Sequence, residues 1–169
     1  MTTLAEKNAH PRDSRIRFTE EDHTYYIDGE SKGYTSTTTV VHHLFPEFVN
    51  EEAIEKMKTS KRNPWEQNKF YGKSNEFIIE AWTANKDLAS ALGTKMHANI
   101  ESYLNGLPHS TEGKEWELFK QYEEDHSNLV PFRTEWTLFA EDLGIAGSVD
   151  MLYEDPDVPG ALILADWKR

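Results

Sequence analysis

Two aspartates and a lysine in the last part of the chain stand at a spacing that could bring their charges together. Asp166 and Lys168 are separated by one residue, so on a β-strand they point to the same face while Trp167 points to the other. The turn-forming residues of 154–160 predict a chain reversal that places Asp150 opposite Asp166. Opposed residues of an antiparallel pair have Cβ atoms about 5 Å apart, so the two carboxylates could share one hard cation. Such a site is typical of metal-dependent phosphodiester hydrolysis.

The preceding strand adds a third acidic residue by the same register. A turn at 141–144 sets Glu135 opposite Asp150. The register predicts an apolar face with three opposed pairs: Trp136 with Val149, Thr134 with Met151, and Phe132 with Tyr153. It predicts a second face that carries the polar residues Arg133, Glu135, Thr137, Ser148 and Asp150. We therefore expect one face to pack against the core and the other to carry the chemistry.

An imidazole comes from a helix upstream of these strands. The pattern predicts a helix that starts after Asn85 and ends at Asn105-Gly106, a normal C-terminal stop. Gly93, His97 and Glu101 lie one turn apart on one face of it, and Gly93 would let another element approach closely. A lone helical histidine is more often structural, so the residues alone leave His97 open between packing and chemistry.

Composition bounds the type of protein. The chain has 169 residues, 37% of them hydrophobic, which suits one domain with a real core. It has no cysteine, which excludes disulfides and thiolate metal sites. It has no apolar run of about 20 residues and no apolar segment typical of a secretion signal. We therefore expect a soluble, intracellular protein without a membrane partner.

The net charge of −12 hides a basic stretch. Residues 56–73 contain six Lys or Arg and one Glu, a local charge of +5, so the rest of the chain carries −17. Basic residues among aromatic ones can neutralise phosphates and stack on bases, and the same stretch could equally be a solvated helix face. The candidate nucleic-acid contacts are Lys61, Arg62, Trp65, Lys69 and Lys73.

The N-terminal half shows several short elements. We predict a disordered tail at 1–15, a small structural hairpin within 16–35, and a short helix capped by Ser36 that stops at Pro46. Free amides at that helix start could hold a phosphate near Ser36 and Thr37, although most capped starts hold nothing. Further helices are predicted at 50–58, from Ser74 to about Trp82, and at 114–126.

With these residues assembled, the chain resembles the PD-(D/E)XK nuclease superfamily, specifically its RecB-type branch. The resemblance covers about 90–169 and rests on the order of four motifs: a helix with GxxxH ending at His97, a strand with Glu135, Gly147-Ser148-Val149-Asp150, and Asp166-Trp167-Lys168. The N-terminal pattern 23–29, Ser36-Thr37-Thr38, Gly93-Thr94 and Ile100-Glu101 is similar to the front half of phage and large-DNA-virus exonucleases of this branch.

The resemblance implies an α+β, restriction-endonuclease-like core. Its mixed sheet, with antiparallel strands at about 131–141, 144–154 and 161–168, would be flanked by helices. One nuclease domain would span 16–169, with a hairpin and a helical DNA-binding part at 16–90 and a catalytic core at 90–169. The branch normally continues past this point with a helix and a further strand, so we expect a core truncated at its C-terminal end.

The resemblance also implies the roles of the site residues. One or two Mg²⁺ or Mn²⁺ ions would be bound by Asp150, Asp166, His97 and the backbone carbonyl of Trp167. Lys168 would position or activate the attacking water. Glu135 could bind a second ion, hold a water, or pair with Arg133 or Lys168.

The expected activity is DNA hydrolysis, as an exonuclease in recombination, repair or replication. A viral protein of this kind would act inside the host cell. The alternatives are a DNA-binding module that keeps the fold without activity, and an RNA endonuclease with the same site.

Overall fold

The central strand of the main sheet is β5, Ile145–Glu154, in a computed structural model that describes residues 2–169. β4, Val130–Ala140, pairs antiparallel along one edge of β5. On the other edge, β3 (Thr35–Ser36) pairs parallel with the start of β5, and β6 (Leu162–Ala165) pairs antiparallel with its end. The result is an α+β fold with a mixed sheet flanked by helices. Within residues 2–169, no helix is long and apolar enough to cross a membrane.

The register of these strands agrees with the sequence prediction over most of its length. Trp136 pairs with Val149 and Thr134 with Met151, as expected. The predicted pairing of Phe132 with Tyr153 is wrong. An irregularity between Pro131 and Arg133 inserts one residue into β4, so Tyr153 pairs with Pro131.

The β5–β6 pairing also follows the prediction. Met151 lies opposite Ala165 and Glu154 opposite Leu162, the register that brings Asp150 next to Asp166. The third strand is shorter than the predicted 161–168, since its ladder ends at Ala165 and leaves Asp166 and Lys168 just beyond it.

Residues 2–15 differ from the disordered tail that was predicted for 1–15. α1, Leu4–Lys7, begins with a capping box between Thr3 and Glu6, and Leu4 is buried. Farther along, a carboxylate oxygen of Asp13 accepts a hydrogen bond from Arg133 Nη1 at 2.8 Å. Arg133 is only 6% exposed, and a buried guanidinium needs an anionic partner. The ion pair of Asp13 with Arg133 therefore holds this segment against the sheet, and the polar composition of the segment does not indicate it.

A two-stranded hairpin follows, as predicted. β1, Ile16–Thr19, pairs antiparallel with β2, Thr24–Ile27. Ile16 and Ile27 are buried together with Phe139 and Ala146 of the main sheet. The hydroxyls of Tyr25 and Ser148 are 3.3 Å apart, which joins β2 to β5.

Four further helices complete the fold. They are α2 (Thr37–Leu44), α3 (Asn50–Lys58), α4 (Asn75–Leu104) and α5 (Lys114–Asp125). α2, α3 and α5 agree with the predicted helices, and Ser36 caps α2 by accepting a hydrogen bond from the Thr39 N–H. The two helices predicted on either side of Asn85 are one continuous helix of 30 residues, because no Gly or Pro stands between Asn75 and Leu92.

α4 packs against different neighbours along its length. Its first part packs with α3 around Ile54, Phe70 and Ile78, and we call residues 50–82 the helical lobe. Its last part packs against α5 and the sheet. Residues 83–88 between the two parts are all exposed.

Candidate metal centre

Three side chains from three different elements converge beside the C-terminal part of α4. His97 Nδ1 on α4 lies 3.2 Å from Glu135 Oε1 on β4 and 3.7 Å from Asp150 Oδ2 on β5. One ligand atom from each residue lies within 4.8 Å of the other two. Ligands at adjacent corners of an octahedral Mg²⁺ shell are about 3 Å apart, given metal–oxygen distances of about 2.0–2.1 Å. Two carboxylates and an imidazole at this separation form a donor set that could hold a metal ion.

The backbone of Glu135 explains how its side chain reaches this cluster. Glu135 has φ of 43°, a left-handed conformation that a non-glycine residue seldom adopts. Thr134, on one side of it, accepts a hydrogen bond from Asn105 at the end of α4, and Glu135 itself contacts His97 of α4. Arg133 and Trp136 both hydrogen-bond Asp13 on the opposite face. The side chains of Thr134 and Glu135 therefore point to the same face of β4, and the normal alternation of faces is interrupted between them.

This switch corrects the predicted assignment of faces. Arg133 does not share the polar face with Glu135, and Thr134 does not share the apolar face with Trp136. Two of the four partners considered for Glu135 are also absent, because Arg133 pairs with Asp13 and Lys168 pairs with Asp166. Backbone strain of this kind concentrates at functional sites.

The main chain of Trp167 orients two of the three side chains. Its N–H donates to Asp150 Oδ2 at 2.8 Å, and its carbonyl oxygen lies 3.1 Å from His97 Nε2. A carbonyl oxygen can only accept, so Nε2 carries the proton, as the hydrogen-bond network assigns it. In the neutral ring the lone pair is then on Nδ1, which faces the two carboxylates. The carbonyl of Trp167 thus meets the opposite edge of the imidazole from the one that faces Glu135 and Asp150.

The ring of Trp167 is fixed by α5. It packs edge to face with Phe119 and with Tyr122, at centroid distances of 5.7 and 5.3 Å. The aromatic contacts hold the backbone of 167 in place, and the backbone in turn positions Asp150 and His97. Partners that orient a ligand in this way commonly matter almost as much as the ligand itself.

The electrostatics of the cluster favour a cation. Burial is the largest cause that raises the pKa of Glu135; the neighbouring His97 opposes the rise, and the negative charges of Asp150 and Glu101 add to it. The side chain of Asp150 is only 16% exposed. Two carboxylates held together at low exposure repel each other, and a divalent cation removes that repulsion.

Asp166 and Lys168 are placed differently from the other predicted site residues. They lie on the same side, as predicted, and pair with each other at 2.7 Å with exposures of 48% and 81%. The hydrogen bond with Asp166 raises the pKa of Lys168, so its side chain stays a cation at neutral pH. The cluster that the structure assembles contains His97, Glu135 and Asp150 but not Asp166.

The predicted nucleic-acid residues fall in two places. Lys61, Arg62, Lys69 and Lys73 are exposed on the helical lobe, whereas Trp65 is half-buried against the cluster of Ile54, Phe70 and Ile78. Ser36 and Thr37 lie at the start of α2, next to β5. A Cβ on Gly147 would be 2.5 Å from Thr37 Oγ1, so this close approach of α2 to the strand requires glycine.

A cavity of about 620 Å³ opens beside the cluster, and the sequence did not indicate it. Its walls come from the β1–β2 hairpin, from α4 and from the sheet. Its lining includes Phe18, Glu20, Gly93, His97, Glu135 and Ser148. The hairpin, predicted to be purely structural, is therefore one wall of the site; its docking depends on contacts between residues more than 100 positions apart, which no local pattern reveals.

Comparison with known proteins adds no relative: no protein-family model, no curated protein and no solved structure matches this chain.

Proposed function

We propose that this chain is a Mg²⁺- or Mn²⁺-dependent nuclease with a PD-(D/E)XK-type site on a restriction-endonuclease-like core. The observation that carries the proposal is the convergence of His97, Glu135 and Asp150, which each offer one ligand atom within 4.8 Å of the other two. Phosphodiester hydrolysis is the reaction class that such a donor set commonly serves. The order of residues along the chain, which resembles the RecB-type branch, supports the same reading.

Under this proposal, each residue of the site would have a distinct role. Asp150, Glu135 and His97 would hold the cation, which would polarise a phosphoryl oxygen and lower the pKa of a bound water. Trp167 keeps Asp150 and His97 in place through its backbone. Lys168, a permanent cation, would hydrogen-bond the attacking water or the phosphate and stabilise the charge that develops there.

DNA is the proposed substrate, held away from the acidic part of the chain. Residues 56–73 carry +5 and present Lys61, Arg62, Lys69 and Lys73 to solvent. The chain outside 56–73 carries −17, so we assign phosphate binding outside the metal centre to this basic stretch of the helical lobe. We propose exonuclease action within recombination, repair or replication.

One observation favours a second candidate, a DNA-binding module without activity. Asp166 and Lys168, two of the motif residues, pair with each other outside the cluster. A site in which they stay paired would bind a cation and DNA without hydrolysis.

A cleavage assay separates these candidates. End-labelled single-stranded and duplex DNA is incubated with the protein and Mn²⁺, with and without a chelator, and labelled RNA is tested in parallel. Cleavage of DNA that the chelator abolishes supports the proposal. Binding without cleavage supports the inactive module, and cleavage of RNA alone supports an RNA endonuclease. Asp142→Asn, an exposed acid in the β4–β5 turn, is the matched control and should behave as the parent.

A further inference from the structure

Gly93 occupies an unusual position for a glycine. It lies inside α4, and a Cβ built on it would meet nothing within 4 Å. Glycine inside a helix is destabilising relative to alanine, so a helical glycine normally needs a reason such as a neighbouring element. The sequence predicted close approach of another element at Gly93, and the structure contradicts this, because no element approaches.

The free space at Gly93 belongs to the cavity beside the metal centre. Gly93 and His97 line the same cavity and lie one turn apart on α4. A methyl group at position 93 would therefore project into space that a ligand of the metal centre must cross. The absence of a side chain there is explained by a ligand, since the protein itself makes no use of the space.

The hairpin wall of this cavity offers one phenyl ring. Phe18 of β1 lines the cavity, and its ring is braced by Tyr25 at a centroid distance of 4.7 Å. The hairpin that carries Phe18 is joined to the sheet through the contact of Tyr25 with Ser148. The ring is therefore held in position before any ligand arrives.

The charges of the lining select the part of a ligand that can enter. Glu20, Glu101 and Glu135 all line the cavity, and no Lys or Arg does. A phosphate would be repelled from these walls, except where a cation at the metal centre compensates. A base and its sugar are uncharged and can occupy the remaining space.

From these contacts we propose that the cavity is a subsite for one unpaired nucleotide next to the scissile phosphate, with the base on Phe18 and the sugar passing over Gly93. A base within a duplex has both faces stacked on its neighbours, so only an unpaired base can lay a face on a side chain. The inference rests on the proposed function for the position of the phosphate, and it names single-stranded or frayed nucleic acid as the form that enters the site.

The decisive variant is Gly93→Ala, because its two expected effects have opposite signs. Alanine favours the helix, so the melting temperature should rise by about 2–4 °C. Affinity for a short single-stranded oligonucleotide carrying 2-aminopurine, measured by its fluorescence in Ca²⁺, should fall about tenfold or more. Phe18→Leu, which keeps an apolar side chain and loses the ring, should weaken binding about tenfold and reduce the quenching of the stacked 2-aminopurine.

The matched control is Ala91→Gly, an exchange of the same two residue types on an exposed position of the same helix. It should lower the melting temperature and leave binding unchanged. Unchanged affinity in both Gly93→Ala and Phe18→Leu would overturn the subsite. Cleavage of DNA by the parent is scored separately, so a parent that binds through Gly93 and Phe18 without cleaving would contradict the proposed function and leave the subsite standing.

Discussion

The helical lobe and the sheet region, which comprises the six strands with residues 2–15, α5 and the last part of α4, differ in how they use their charged residues. In the lobe, the basic side chains are exposed around a small apolar cluster of Ile54, Phe70 and Ile78. In the sheet region, charged groups are drawn inward, as in the ion pair of the buried Arg133 with Asp13. Exposed charges are screened by water and salt and interact weakly, whereas buried charges interact strongly.

If the proposed function holds, this difference separates substrate binding from catalysis. Under the proposed function, phosphate affinity resides in the lobe and the hydrolytic chemistry in the sheet region. α4 takes part in both, with Ile78 in the lobe core and His97 in the metal centre. Changes confined to one region should therefore leave the property of the other intact.

Asp150→Asn should give the largest effect and should be confined to the sheet region. Asparagine keeps an oxygen that can accept the Trp167 N–H but loses the charge that a cation needs, so cleavage should fall by about 10²–10³-fold or more. Calorimetric titration with Mn²⁺ should show the matching loss of metal affinity. The salt dependence of DNA binding, which depends on the lobe, should not change. Cleavage close to the parental rate would remove Asp150 from the site.

The register that gives Asp150 its place could be read from the sequence, and the conformation that gives Glu135 its place could not. Turn-forming residues at 141–144 and 154–160 fix the register, because side chains alternate along each strand. The switch of faces at Glu135 depends on a positive φ at a non-glycine residue, which only the surrounding structure can impose.

The same limit explains the N-terminal segment and α4. Residues 2–15 have no apolar periodicity, and their order depends on Arg133, more than a hundred residues away. Asn85 resembles a helix boundary, yet good helix formers on both sides carry the helix through it. The role of Asp166 as a metal ligand stays a prediction. In the structure, its carboxylate pairs with Lys168.

Asp13→Asn tests whether the sheet region depends on its inward charges. Arg133 would keep a hydrogen-bond partner but lose its counter-charge, which should cost about 1–3 kcal/mol of stability. Hydrogen exchange should show the loss in β4 and not in residues 50–82. Equal loss in both regions would mean that they unfold as one unit and would weaken the comparison.

The pH dependence of this pair has a definite sign. Partial burial alone would raise the pKa of Asp13, but hydrogen bonds from Arg133, the His10 backbone and Trp136 outweigh it and lower the pKa. A lowered carboxyl pKa contributes stability that is present above the unfolded-state value of about 3.9 and is lost as the pH falls through the folded-state value. Below about pH 4, the parent should therefore lose stability more steeply than Asp13→Asn.

The combined change Lys61→Ala and Arg62→Ala tests the lobe. Each phosphate contact contributes roughly 0.7–0.9 to the slope of log affinity against log salt, so losing both should flatten the slope by up to about 1.4–1.8. Binding is measured in Ca²⁺ across a salt series, and Mn²⁺ affinity at Asp150 should be unchanged. Lys7→Ala with Lys32→Ala, two exposed positions outside the lobe, is the control. An unchanged slope in the first pair would assign substrate holding to another surface.

The smallest effect is expected from the exposed part of α4 between the two regions. Residues 84 and 85 are exposed, so neither Ala84→Gly nor Asn85→Ala leaves a cavity or removes a ligand. Glycine should destabilise the helix by about 0.5–1 kcal/mol, and alanine should stabilise it by roughly a few tenths of a kcal/mol.

If the lobe must present bound DNA to the metal centre through a stiff helix, Ala84→Gly should reduce cleavage a few-fold, while the salt slope and Mn²⁺ affinity stay parental. Asn85→Ala should match or slightly exceed the parental rate. Because the two variants change the same stretch in opposite directions, identical cleavage rates in both would show that the regions act on DNA without being coupled through α4.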